Sequence, residues 1–136
     1  MELISISKED VTLDLPRDEV RLLCNSLNEV CNGMKLNDFE SKIGISREEA
    51  DVVHDNMRKN YLKMMQGVDE YMDEIEPVKF NIIHILSKKK WTALRNALNE
   101  ICIDFGESEF QTRLGLDLSE AQIILKSFDS ILKKME

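Results

Sequence analysis

The sequence has little glycine and proline, few cysteines and no long apolar run. Five Gly and 2 Pro in 136 residues exclude a collagen-like or low-complexity chain. No apolar run approaches the roughly 18 residues of a membrane span, and Met1–Ser5 lacks the basic and apolar segments of a signal peptide. Three cysteines without metal-type spacing are typical of reduced thiols. We therefore expect a cytoplasmic protein without a membrane segment.

Positive charge is also scarce. Eighteen Lys and Arg oppose 26 Asp and Glu, which gives a net charge of −8. Such a field repels nucleic-acid phosphates and anionic lipids. The expected partner is therefore a protein with a basic or neutral surface, or a second copy of the chain, rather than nucleic acid or membrane.

Motifs for catalysis and cofactor binding are missing. The sequence has no Gly-rich phosphate loop and no Gly-x-Ser-x-Gly elbow. Cys31 and Cys102 fall on apolar helical stripes, where cysteine is typically a small buried hydrophobe. Asp51, His54 and Asp55 share one helical face, but no second histidine segment completes a metal site. We expect no enzyme, no cofactor and no metal.

An internal repeat organises the chain. Moving from Leu23 to Leu94, an offset of 71 residues, aligns residues 23–31 with residues 94–102 without a gap. Over positions 23–50 the offset gives ten identities, where average residue usage gives about two. We interpret the chain as a single domain of two related halves, about 7–76 and about 78–136.

Each half is predicted to contain a strand, a helix, a short helix and a third helix. Alternating apolar residues predict strands over Val11–Leu15 and, after Pro77, over Phe80–Leu86. Leu3–Ile6 is predicted to add another strand. The first and third helices of each half have apolar residues at steps of three and four, and Gly67 is a candidate break in the third helix of the first half.

Predicted caps delimit the short helices. Gly44 and Gly115 are expected to end them in the left-handed conformation that glycine adopts easily. Ser46, with an acidic residue three positions later, is predicted to cap the third helix, and Asn37 and Ser108 are predicted to begin capping boxes of the two short helices.

The strings over Leu94–Ile101 and Glu109–Gly115 resemble a repeat, of the type LNE[VI]C…EFxTRxG, found in small uncharacterised bacterial proteins. The first half departs from it, with Ser41-Lys42 where the second half has Thr112-Arg113. The resemblance implies a bacterial origin and one folding unit per copy. It implies no catalytic or binding residue.

Polar positions shared by the two halves form one candidate set. Asparagine is a poor helix former, so keeping it in both helices predicts that its amide binds backbone nearby. The glutamates are placed to pair with Lys42 and Arg113. A shared ligand or partner surface is the alternative. The repeated positions are Asn25, Asn28, Glu29, Asn96, Asn99 and Glu100.

A run of acidic, aromatic and methionine residues forms the second candidate. Methionine adapts its shape and tyrosine supplies contact area, a combination typical of protein interfaces. The alternative is that these side chains complete the core. The candidate partner surface comprises Met64, Met65, Val68, Asp69, Tyr71, Met72, Asp73 and Ile75.

The sequence as a whole predicts an α+β fold, mainly α, in which two strand-plus-three-helix units pack about a pseudo-two-fold axis with their strands in one small antiparallel sheet. The function predicted is non-enzymatic protein binding, with an acidic inhibitor or immunity/antitoxin-type role as its most concrete form. One alternative is a DNA-binding regulator, because helix, Gly turn and helix over Phe39–Ala50 resemble a helix-turn-helix. The other is a small-ligand-binding domain with a pocket at Asn28 and Asn99.

Overall fold

A computed structural model describes residues 1–34, 36–65 and 81–134. This part of the chain is mainly helical with one small antiparallel sheet, which confirms the α+β, mainly α prediction. None of its helices is long and apolar enough to cross a membrane. In chain order, the elements are β1 (Glu2–Ile6), β2 (Asp10–Pro16), α1 (Arg17–Asn28), α2 (Phe39–Ile43), α3 (Arg47–Met65), β3 (Asn81–Ser87), α4 (Lys88–Asp104), α5 (Glu107–Leu114) and α6 (Leu118–Lys134).

The three strands pair in the order β1-β2-β3, and both pairs are antiparallel. In the central strand, Val11, Leu13 and Leu15 are buried while the residues between them are only half-buried. This alternation is what a sheet with one face on the core requires. Leu13 pairs with His84 across β2 and β3. All three predicted strands are therefore present, and the structure adds their order.

The helices cover one face of the sheet. α1 and α4 pack against each other, α3 flanks α1, and α6 flanks α4. The short helices pack across the halves, since α2 contacts α4 and α5 contacts α1. The predicted apolar stripes lie in the core, where burying one leucine side chain contributes about 1.5–3 kcal/mol.

The element order agrees with the repeat. After β1, each half runs strand, long helix, short helix and long helix. The duplication and the two-fold axis stay predictions.

α1 does not end as a regular helix. It continues into a π-helical turn over Glu29–Gly33, in which the Met34 amide donates to the Glu29 carbonyl at 2.7 Å. The Glu29 carboxylate lies against Gly33, where any side chain would collide with it. Glycine at position 33 therefore lets this carboxylate fold back along the turn.

Three of the five predicted helix caps are present. Gly44 and Gly115 end α2 and α5 with φ of 102° and 76°. At the start of α3, the Glu49 amide donates to Ser46 Oγ at 3.1 Å. The two predicted capping boxes of the short helices are wrong.

The reason is the path of the chain into the short helices. α2 begins at Phe39 after Asp38, which has φ of 55° and makes no side-chain cap. α5 begins at Glu107, so Ser108 lies inside its first turn. Phe105 and Phe110 are both buried. Placing both rings in the core is consistent with a helix that begins directly after Gly106. Core packing thus outweighed the local capping pattern.

Candidate functional site

A cavity of about 340 Å³ opens between α1 and α3. The α1 residues face it at steps of three and four, the spacing that places side chains on one side of a helix. Two of the predicted repeated positions, Asn25 and Asn28, belong to its lining. The lining residues are Arg21, Cys24, Asn25, Asn28, His54, Arg58, Tyr61 and Leu62.

The cavity is rich in positive charge. Neither Arg21 nor Arg58 forms an ion pair with any described residue. On α3, Oδ1 of Asp55 lies 3.8 Å from His54 Nδ1. The buried Cys24 thiol donates to the His54 carbonyl at 3.9 Å.

The Cys24 thiol adds no negative charge to the cavity. Burial raises its pKa to about 11, and Asp55 acts in the same direction, although Arg58 opposes them. A thiol with that pKa is neutral at pH 7. The positive charge of the arginines is therefore not offset by a thiolate.

The corresponding place in the second half is filled. With the 71-residue offset, Cys24 corresponds to Arg95 and Arg58 to Asp129. Arg95 Nε donates to Asp129 Oδ1 at 2.9 Å, and its Nη2 reaches Oδ2 at 3.4 Å. The sequence predicts a pocket at Asn28 and Asn99, between the halves, whereas this cavity lies within the first half and Asn99 does not line it. The signal for its arginine is the comparison of the halves, in which the second half has Arg95 where the first has Cys24, and Asp129 where the first has Arg58.

The other repeated polar positions lie elsewhere. Asn96 Nδ2 donates to the Ile43 carbonyl at 2.9 Å, at the end of α2, which is the backbone contact predicted for these amides. Glu29 pairs with Arg113 of the other half at 3.2 Å. Glu100 borders a separate cavity that also contains Arg113. Asn99 is half-buried on α4 and does not line the cavity at Asn28.

Most of the predicted partner surface lies outside the described residues. Met64 and Met65 are the last two residues of α3. The remaining six positions, together with Gly67, fall between residues 66 and 80.

A second surface lies on β3. Ile83 and Ile85 are each 62 % exposed, on the sheet face opposite the core. Beside them, a groove of about 410 Å³ separates the strand from α3, where Asn56, Lys59 and Asn60 form its other wall. β3 is the last strand of the sheet that the described residues form. The sequence alone does not single out these isoleucines as a surface.

The helix-turn-helix layout is present as α2, Gly44 and α3. However, Arg47 at the start of the would-be recognition helix donates to the Cys31 carbonyl at 2.7 Å and lies over the Phe39 ring. Its guanidinium thus holds the preceding loop. Beyond it, the exposed charged side chains of the first turns of α3 are acidic, and basic ones follow only from Arg58 onward.

The remaining thiols are poor nucleophiles. Burial raises the pKa of Cys31 and of Cys102 to about 11, with Asp51 adding to the shift at Cys31 and Arg47 opposing it. Thiolate is the reactive form of cysteine. Among the residues that the structure describes, no three His, Cys, Asp or Glu side chains are placed to hold a metal ion.

In comparisons with known proteins, the chain matches no protein family, no curated protein and no solved structure.

Proposed function

We propose that the protein is a non-enzymatic protein-binding domain, which takes an extended segment of its partner along β3. The observation behind this proposal is the uncharged, apolar character of an outer strand. β3 has the sequence Asn-Ile-Ile-His-Ile-Leu-Ser and contains no Asp, Glu, Lys or Arg. Two of its isoleucines point away from the core.

Outer strands normally avoid this composition. An outer strand offers backbone donors and acceptors to any other strand, and natural proteins protect it with charges, proline or a cover. β1, the other outer strand, contains Glu2 but also exposes Ile4 and Ile6. β3 exposes its isoleucines more fully and contains no charged residue, which supports a partner that covers it.

The groove supports an extended occupant. One wall is backbone and side chain of β3, and the other is a polar stripe of α3. An extended peptide in such a groove gains main-chain hydrogen bonds from the strand and side-chain contacts from the helix. Asn56 and Asn60 each provide an amide that both donates and accepts.

The net charge of the protein favours a basic partner. The net charge of −8 attracts a basic protein and speeds its association. An acidic inhibitor or antitoxin-type protein has this property, so that role belongs to the proposal. The raised pKa values of the three thiols support its non-enzymatic part.

The first prediction follows from this surface. Ile85→Lys places a charge on β3 and should abolish capture of a stoichiometric partner from the native host, measured by affinity purification and mass spectrometry. Ile123→Lys is the matched control, because Ile123 is 64 % exposed on α6. It should leave capture unchanged.

A further pair of variants separates the two candidate surfaces. Tyr71→Ala and Met72→Ala alter the acidic segment predicted from the sequence and leave β3 intact. Loss of the partner in these variants, with capture kept in Ile85→Lys, would transfer the interface to that segment. Absence of any stoichiometric partner, or a dimer that Ile85→Lys converts to a monomer, would contradict the proposal.

A further inference from the structure

We infer that the cavity between α1 and α3 is a binding site for a small molecule bearing a carboxylate or phosphate group. This site is separate from β3, so the inference does not rest on the proposed function.

Two arginines line the cavity, and neither forms an ion pair with a described residue. Arg21 approaches it from α1 and Arg58 from α3. The guanidinium of Arg21 also lies close to Gly115, at the end of α5. Guanidinium groups bind carboxylates and phosphates through paired, charge-assisted hydrogen bonds. Asp55 of α3 lies next to the His54 ring and forms no ion pair with either arginine.

The second half of the chain shows what the first half lacks. There a guanidinium from α4 and a carboxylate from α6 bind each other directly. In the first half the corresponding α1 residue is the small Cys24, which leaves space, and the corresponding α3 residue is Arg58. In the first half, the carboxylate or phosphate of a ligand would take the place that the Asp129 carboxylate has in the second half.

The remaining walls define the size and character of the ligand. A cavity of about 340 Å³ is at the small end of the range for ligand sites, about 300–1,000 Å³. Asn25 and Asn28 offer amides to hydroxyl or carbonyl groups. Tyr61 and Leu62 give an apolar side. A compact metabolite with one anionic group and a short polar or apolar body fits this lining.

The second prediction is a titration of the intact protein with sodium phosphate and, separately, sodium citrate. Binding is measured by calorimetry and by shifts of the Arg21 and Arg58 side-chain resonances, against sodium chloride at equal ionic strength. We expect at least one of the two anions to bind. Phosphate alone indicates a phosphorylated ligand, and citrate alone indicates a carboxylate ligand.

Variants test the geometry. Arg58→Gln should weaken binding about tenfold, since it removes one charge-assisted pair. Lys126→Gln removes the same charge from an exposed position on α6 and should have no effect. The double variant Cys24→Arg with Arg58→Asp copies the ion pair of the second half into the cavity, and it should abolish binding without lowering the melting temperature.

Two results would overturn the inference. One is that neither anion binds better than chloride. The other is that Lys126→Gln weakens binding as much as Arg58→Gln, because the effect would then come from net charge alone. Neither result bears on the β3 surface, which is tested by partner capture.

Discussion

His84 is a polar side chain in an apolar core. It is 3 % exposed, and its ring meets Trp91 edge-on at 6.5 Å between centroids. Its Nε2 has no hydrogen-bond partner among the residues that the structure describes. Burial lowers the pKa of this histidine below its ordinary value of 6.5, because the core disfavours the charged form. The folded protein therefore holds His84 neutral at a pH where the unfolded chain protonates it.

The third prediction concerns this histidine and pH. Below pH 6.5 the unfolded state binds more protons at His84 than the folded state, so its contribution to stability is complete above that pH and is lost as the pH falls. The loss is at most about 1.4 kcal/mol per pH unit. His84→Leu should remove this part of the slope, measured by urea unfolding between pH 7.5 and pH 5.

The chain supplies its own control. His54 is the other of the two histidines and lies half-exposed on α3. In His54→Gln, the free energy of unfolding should change with pH as it does in the unchanged protein. An unaltered slope in His84→Leu would show that His84 does not set the acid sensitivity. Because Nε2 is unpaired in the core, His84→Leu should also match or exceed the original stability at pH 7.5.

At the scale of elements, one side-chain amide of α4 binds the end of α2. Asn96 Nδ2 donates to the carbonyl of Ile43, the last residue of α2. Carbonyls at the end of a helix lack intrahelical partners. This hydrogen bond therefore satisfies the end of a short helix from the other half of the chain.

The fourth prediction compares Asn96 with its repeat counterpart. Asn96→Ala should lower the free energy of unfolding by about 1 kcal/mol, because it leaves the Ile43 carbonyl unpaired. Asn25→Ala should cause no loss, since Asn25 lines the cavity without a hydrogen bond to any described residue. Both changes give the helix the same gain in propensity. Chemical denaturation measures the free energy of unfolding of both variants. Equal losses in the two variants would contradict a special role for Asn96.

The elements also show which local patterns determined structure. Apolar periodicity located the described strands and long helices. Burial of an apolar helix stripe or strand face is favourable whichever element it packs against, so the spacing alone is informative. Capping at Ser46 was predictable because both partners lie within one turn. The capping boxes at Asn37 and Ser108 are not formed. At Ser108, the start of α5 depends on the burial of Phe105 and Phe110 in the core, which a local sequence pattern does not include.

At the scale of the molecule, the two halves interlock. Trp91 of the second half donates its Nε1–H to the Val11 carbonyl of the first at 2.9 Å, and its ring packs on Phe128. β2 pairs with β3, and α1 packs on α4. Either half alone would leave its share of these contacts exposed to water.

The fifth prediction is cooperative unfolding. Fluorescence of Trp91, the single tryptophan, and far-UV circular dichroism should give one coincident urea transition, because the indole reports contacts between the halves while dichroism reports all helices. Two-state unfolding of a small domain has this signature. Separate midpoints would show that the halves unfold independently.

The sequence by itself determined the composition of the core, the order of strands and helices in each half, and the left-handed glycine caps. These depend on residue periodicity and on backbone sterics, which act over a few residues. It also predicted that the repeated asparagines bind backbone, which Asn96 does, whereas Asn28 accepts from the side chain of Asn32.

Tertiary structure decided which groups meet. Glu29 pairs with Arg113 across the halves, while Arg21 and Arg58 line one cavity. The strand order makes β3 an outer strand with exposed isoleucines. Each of these depends on contacts between residues tens of positions apart, and their partners are fixed only when the sheet and helices pack.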